Sequence, residues 1–324
     1  SISPESLAAE DALIAPRGGI TITGRKKEGK SAGFYGRDER GEEYIVIVDP
    51  PGMLEQETAA EVIGSTLVRM AGYNIASSSI VSISGTGNPQ FDGRRGVATR
   101  LVKGFKGHWS YRDFKDRREF RATMFFAGWL HNTDWVDHNT GISVCEVEGV
   151  PLTRYYIFDF GGSLGSWNIR TKEPRDGWEY YVDFGEILLW PVLKPMDIAG
   201  LRRRPWPADG RQFSEAVGYF DSRFPVDRYR SNYPNLAWAE MTREDGLWAA
   251  GLIASYTGEQ VRAAVDLARY TSPADADYVF RTLMRTNDIG MSSAAGFFQS
   301  LFCFVFILIV NLIVKKIEPD YALF

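Results

Sequence analysis

The spacing of apolar positions divides the chain into a strand-rich first third and a helix-rich remainder. Gly19 to Thr23 alternates with period two, and Ser31 to Tyr35 and Glu43 to Val48 follow as further strands. The turn residues Gly36-Arg37-Asp38 and Arg40-Gly41 lie between them, which predicts a small antiparallel meander. Met53 to Ala71 predicts a helix, with Ile63, Leu67 and Met70 on one face and Gly72 as its C-terminal stop. Ser79 to Ile83 and Gly96 to Val102 complete the sheet. Phe120 to Leu130 is apolar on nearly all sides and reads as a buried helix. Ile142 to Val147 and Pro151 to Phe158 then read as two strands about a Glu148-Gly149 turn. Gly161 to Asn235 is long, aromatic and irregular. Three helices close the chain's folded part, opened by Thr242 with Asp245, by Thr257 with Gln260, and by Ser272-Pro273.

Two short polar runs sit at the ends of these elements. The loop after the buried helix reads His131-Asn132-Thr133-Asp134-Trp135-Val136-Asp137-His138-Asn139, and the second hairpin strand ends on Asp159-Phe160-Gly161. An acid, an amide five residues later and a second acid opening Asp-Phe-Gly are the groups that phosphoryl transfer needs. Asp134 is the candidate base that accepts the proton of the attacking hydroxyl. Asn139 and Asp159 are candidate ligands for Mg2+, which takes oxygen donors.

A competing signal lies in the meander, where Gly24 to Ser31 spells Gly-x4-Gly-Lys-Ser, the phosphate loop of P-loop NTPases. That loop works only if a helix starts at the Lys-Ser, so that its first amides face the phosphates. Ala32-Gly33-Phe34-Tyr35-Gly36 follows instead, with two glycines and a turn close behind, so the NTPase reading ranks last.

The runs GKSAGF, DPPG, AAEVIGS, AGYNI, WLHNTDWVDHNT, YYIFDFGGSLGS and WAAGLIASYTGEQVRAAV resemble an uncharacterised bacterial family with an atypical kinase fold, related to HipA-type and phosphoinositide-kinase-like enzymes. The resemblance covers roughly Gly19 to Gly290. It implies an α+β, bilobal protein-kinase-like fold, with a small antiparallel sheet lobe with one helix over 18–102 and a larger, mainly helical lobe over 103–290; residues 1–17 ahead of it read as a polar arm with weak helical character. It implies ATP and Mg2+ as cofactors, with Gly29, Lys30, Ser31 and Gly33 in a glycine turn over the phosphates and Glu61 on the helix that orients a cation. Lys103 opens the run to Gly107 that would link the lobes, where adenine would stack. The chain departs from the family at one costly position, for Ile47 stands where the family carries the strand lysine that grips the α and β phosphates. Either a neighbouring cation replaces it, with Lys30 first and Arg100 or Lys103 after it, or the chain is a pseudokinase scaffold that binds a partner without catalysis.

Composition narrows the remaining classes. A net charge of −4 over 324 residues gives no global pull toward nucleic acid. Two cysteines and three histidines are too few for a disulfide framework or a zinc centre. Residues 291–324 differ from the rest: Ala294 to Val314 is almost wholly apolar, long enough to span a bilayer, and Lys315-Lys316 follow. The expectations there are a membrane anchor, an apolar helix docked on the domain or a partner, or a tail foreign to the fold, so the location is cytoplasmic or membrane-anchored. The acceptor stays open among proteins, lipids and small molecules.

Overall fold

The structure is a computed structural model that describes residues 2–27, 29–167, 170–180, 206–207, 209–223, 226 and 229–285. The apolar run 294–314, Arg202 to Arg204, Tyr181 and Trp190 lie outside the described residues.

Helix α1 (Pro4–Ile14) is capped by Ser3 and opens on a proline, whose missing amide is no loss in a first turn. It is more than the polar arm its sequence suggests. Leu7 is buried, Asp11 accepts Ser79 Oγ at 2.7 Å and Arg269 at 2.8 Å, and Gln260 donates to the Ile2 carbonyl. The segment therefore ties the sheet to the last helices of the chain.

Strands β1 (Thr21–Arg25), β2 (Gly33–Arg37) and β3 (Glu43–Ile47) form the expected meander. No helix begins at Lys30, which excludes a P-loop: residues 29–31 bend, and β2 starts at Gly33. Helix α2 (Gln56–Met70) follows, and then β4 (Asn74–Ile75), β5 (Ser78–Ser82) and β6 (Arg95–Arg100). The five-stranded sheet runs β1-β2-β3-β6-β5 and its pairings are antiparallel. Alternation along β3 sends Tyr44 and Val46 to one face, against Phe34, Ile83 and Phe91. Ile47 goes to the other face, where α2 supplies Val62 beside Ile80 and Val97.

Helix α2 is buried from Gln56 to Val68 because it lies between the sheet and the helical lobe. Its first turn has no local cap, since Glu55 sits at φ 72° and makes no side-chain cap. The buried Asp49 carboxylate supplies the cap from the end of β3, accepting the amides of Glu55 (2.9 Å), Glu57 (2.9 Å) and Thr58 (3.0 Å) and the Thr58 hydroxyl (2.7 Å). Gly72, at φ 96°, ends the helix as read from the sequence.

Beyond β7 (Phe105–Gly107), the predicted single helix is two: α3 (Arg118–Arg121) and α4 (Thr123–Leu130) meet at Ala122. Strands β8 (Thr140–Val147) and β9 (Val150–Ile157) pair about Glu148-Gly149, both at positive φ, as a two-residue hairpin turn requires. They join β7 and the short β4 in a second sheet, β4-β9-β8-β7. After a two-residue pair β10 (Ser166–Trp167) and β11 (Arg170–Thr171) come α5 (Leu236–Ala239), α6 (Arg243–Ala254), α7 (Gly258–Asp266) and a last helix α8 over 273–285. Both predicted capping boxes form, at Thr242/Asp245 and Thr257/Gln260. One continuous core joins Ile63 and Leu67 of α2 to Trp129, Phe160, Val261 and Val265.

Replacing Asp49 strands the first-turn amides of α2. Asp49→Ala is expected to lower unfolding free energy by about 2–3 kcal/mol, read as a shifted urea midpoint at constant m-value. A loss below about 0.5 kcal/mol, the range of an ordinary surface substitution, would refute the capping role.

Candidate active site

The cleft between the sheet and the helical lobe is built from four backbone segments. The first is the loop after α4. His131 adopts φ 53° and turns the chain sharply, its amide bonded back to Gly128 and its ring against the Asp176 carbonyl at 2.7 Å. Asn132 Oδ1 then accepts the Asp134 amide at 2.9 Å, which fixes the carboxylate's base. Asn139 donates to the Asp134 carbonyl at 2.8 Å and to its Oδ2 at 3.2 Å.

The second segment follows β9. The Phe158 amide bonds the Asn139 carbonyl at 2.8 Å, so the strand end and the loop are one unit. Asp159 sits at φ 62°, and Asn132 reaches its carbonyl at 3.4 Å. Phe160 is fully buried, edge-on to Trp135 at 5.6 Å and against Gly64 of α2. Gly161 passes tightly against α2, and Gly162 passes in ordinary contact with Asp134. A Cβ at 161 would stand 2.9 Å from Glu57 Cγ, and one at 162 would stand 3.6 Å from Asp134 Cβ. The segment thus runs beside both Asp159 and Asp134, and Asn139 is bonded to Asp134.

The third segment is α2. Glu61 accepts the Phe160 amide at 2.6 Å and Ser78 Oγ at 3.0 Å, and the Gly161 amide also bonds it. It holds the Asp-Phe-Gly turn instead of a cation. Glu57, one helical turn earlier on the same face, is buried, with Oε1 accepting Ser31 Oγ at 2.5 Å and Oε2 without a partner.

The fourth is the glycine turn. Gly29 has φ 74°, and Gly33 packs so tightly that a Cβ would stand 2.3 Å from the Val46 carbonyl. Ser31 joins the turn to α2 through Glu57. Lys30 does not point at the carboxylates; its ammonium lies over the Trp167 ring at 5.4 Å. Lys103 is exposed and pairs with Glu42 at 3.0 Å, as does Arg100 at 2.6 Å. Lys26, absent from the candidates drawn from the sequence, lies beneath the turn and donates to the Ser31 carbonyl at 3.0 Å. Glu57 was missed as well, though its i, i+4 relation to Glu61 was a usable signal.

Crowding of acids, Glu57 and Glu61 among them buried, sets the electrostatics. Burial raises the Asp159 carboxyl to about 6, and the Asp134 charge adds to it, while Lys26 draws it down. Burial raises Glu61 to about 7, with Asp159 adding. Burial raises Glu57 to about 8; the Ser31 hydroxyl lowers it, Asp159 and Asp49 raise it, and Lys26 lowers it. Such a cluster is short of positive charge. Among the described residues no three His, Cys, Asp or Glu form a metal cage. Mg2+ needs less, for it keeps several waters and takes one or two carboxylates. The oxygen-only set of Asp159, Asn139 and the neighbouring Asp134 fits that ion.

A concavity of about 450 Å3 lies elsewhere, lined by Tyr73, Phe114, Phe120, Tyr155 and Trp248 among others. It contains none of the cleft carboxylates, and the chemistry argues for the cleft.

No protein-family model matches the sequence, and no curated protein matches it. The fold is similar to that of the Helicobacter pylori proinflammatory kinase CtkA, at 12% identity and TM-score 0.50, over 87% of this chain and 97% of that chain. It is also matched to the Rio2 kinase–ADP/Mg2+–phosphoaspartate complex from Chaetomium thermophilum (10% identity, TM-score 0.36, 87% and 74% of the chains). A third match is the Golgi casein kinase with Mn/ADP bound (9%, 0.39, 89% and 77%). The chain has a protein-kinase-like α+β fold.

The three raised carboxyls make stability pH-dependent. Each keeps its proton to higher pH in the folded state than in the unfolded chain, so its contribution is complete below about pH 4 and lost as pH rises through the folded value. His131, pushed down to about 4 by burial and Lys172, acts oppositely, but its contribution is complete above its unfolded value of 6.5. Lys172, lowered to about 8 by burial, adds its effect above that pH. In EDTA, the urea midpoint should therefore fall between pH 6.5 and 8, and Glu57→Gln should flatten the fall. An unchanged slope in the variant would contradict the assignment.

Proposed function

We propose that the chain is an atypical kinase-like phosphotransferase that uses ATP and Mg2+. The observation that supports this reading is that Asn139 holds the Asp134 carboxylate while the Gly161-Gly162 segment runs beside both Asp159 and Asp134. Asp159 and Asn139 would hold Mg2+, which would supply positive charge against the charge of the transferred phosphoryl group. Asp134 accepts the proton as an acceptor hydroxyl forms a bond to the γ-phosphorus and the bond to the departing ADP oxygen breaks. Asn139 and Asn132 orient that carboxylate, the positioning on which phosphoryl transfer chiefly depends. The Phe158–Asp159–Phe160 turn, gripped by Glu61, sets the depth of the metal-binding carboxylate.

One observation favours a second reading, a pseudokinase scaffold: Ile47 packs apolar surface where a phosphate-gripping lysine is expected. Turnover separates the two.

Millimolar ATP with Mg2+ should raise the melting temperature by about 3–6 °C when ligand stands at tenfold Kd. Asp159→Ala should remove the Mg2+-dependent part of that rise. Asp134→Ala should keep the rise and lower phosphotransfer by about 10²- to 10⁴-fold. Absence of any nucleotide shift would sink the proposal, and a shift with no transfer to any acceptor or to water would leave the scaffold.

A further inference from the structure

We infer that Lys26, just past the end of β1, is the cation that grips the nucleotide phosphates in this chain, and that Glu57 on α2 is its counter-ion. The inference rests on the nucleotide-binding reading above and identifies the missing charge. Position 47 cannot supply it, since Ile47 is locked against Val62, Ile80 and Val97 on the α2 face of the sheet. Glu61 cannot anchor it either. Its oxygens already accept the Phe160 and Gly161 amides and the Ser78 hydroxyl, and a lysine drawn there would unlatch the Asp-Phe-Gly turn.

The other cations weighed for the role are committed elsewhere. Lys30 lies on Trp167, and Arg100 and Lys103 share Glu42. Lys26 differs in three respects. Its amine lies directly under the turn, so close that a Cβ on Gly29 would stand 2.8 Å from Nζ. Its one protein hydrogen bond, 3.0 Å to the Ser31 carbonyl, uses a single donor of three. Its charge also reaches both Glu57 and Asp159, lowering each carboxyl against burial.

Glu57 completes the arrangement. Ser31 bridges the two residues, taking Lys26 on its carbonyl and giving its hydroxyl to Glu57 Oε1. Glu57 Oε2 is buried with no hydrogen-bond partner among the described residues, an acceptor left open within the reach of the Lys26 charge. The expected lysine–glutamate pair is thus moved as a unit. The lysine shifts from the third strand to the end of the first, and the glutamate shifts one turn toward the start of α2. A phosphate entering under the turn would meet the two free donors of Lys26 while Glu57 holds the amine from behind.

The test measures the affinity of the full chain for Mg–ATP, ADP and adenosine by calorimetry. Lys26→Met should weaken Mg–ATP and ADP by about 10- to 100-fold and leave adenosine within twofold, since the lost contact is to phosphate. Lys26→Arg should recover part of the loss. Lys27→Met, an exposed neighbour in the same basic run, should change nothing beyond twofold. Glu57→Gln should weaken Mg–ATP by a smaller factor and add nothing to Lys26→Met, as expected of two residues acting as one pair. Wild-type affinity for Mg–ATP together with an unaffected Lys26→Met overturns the inference alone, as does a loss carried by Lys30→Met instead. Equal losses for ATP and adenosine would show a merely structural role and overturn it too. No nucleotide binding by the wild-type chain overturns this inference together with the phosphotransferase reading.

Discussion

The bond from the Phe160 amide to Glu61, 2.6 Å long and fully buried, is the constraint on which the cleft depends. It fastens the turn that carries Asp159 to the helix that carries Glu57, and α2 in turn is fastened to the sheet by Asp49. Each of these contacts puts a carboxylate in a place water does not reach, where an unpaired charge is expensive. Backbone amides meet part of that expense at Asp49 and Glu61. Glu57, Glu61 and Asp159 still carry raised carboxyls. Such a deficit of positive charge suits the metal and the Lys26 ammonium proposed above.

Much of the fold was legible because its signals are local. The Glu148-Gly149 turn, the capping boxes at Thr242 and Thr257, and Gly72 at the end of α2 are set by residues within a few positions of one another. The failure of the P-loop spelling was equally local, for Ala32-Gly33 and the turn behind it leave no helix for Lys30 to open. Asp134, Asn139 and Asp159 stood out as candidates because two of them share a loop and the third ends the hairpin that follows.

What escaped depends on long side chains and on packing between distant segments. Lys26 and Lys30 are indistinguishable as members of one basic run. Only the fold decides that one turns inward under Gly29 and the other outward onto Trp167. The docking of α1 hangs on Asp11, Leu7 and Arg269, residues whose partners lie far along the chain. Lys172 is a further case, buried near the loop after α4 with its amine on Thr133 Oγ1 at 2.6 Å, from a segment whose sequence reads only as irregular. The break between α3 and α4 at Ala122 likewise has no glycine or proline to announce it.

The glycines of the roof deserve a different explanation from the one their spelling invites. Glycine-rich turns over phosphates are usually read as leaving room for the ligand. Here Gly33 is required by the Val46 carbonyl, 2.3 Å from where its Cβ would stand, and by the Lys26 stem at 3.2 Å. Gly29 is required by its positive φ and by the Lys26 amine. Gly33 is small because the Val46 carbonyl fills the place of its Cβ, and Gly29 because its φ is positive, with the Lys26 side chain passing close to both. A lysine at position 47 would rise from the strand into the cleft and need no such clearance. Moving the charge to the end of β1 forces the stem to pass under the turn, and the turn must then be built without side chains at the crossing points. The relocated cation and the glycine spacing are in that sense one structural solution, and the sequence that imitates a P-loop is its by-product.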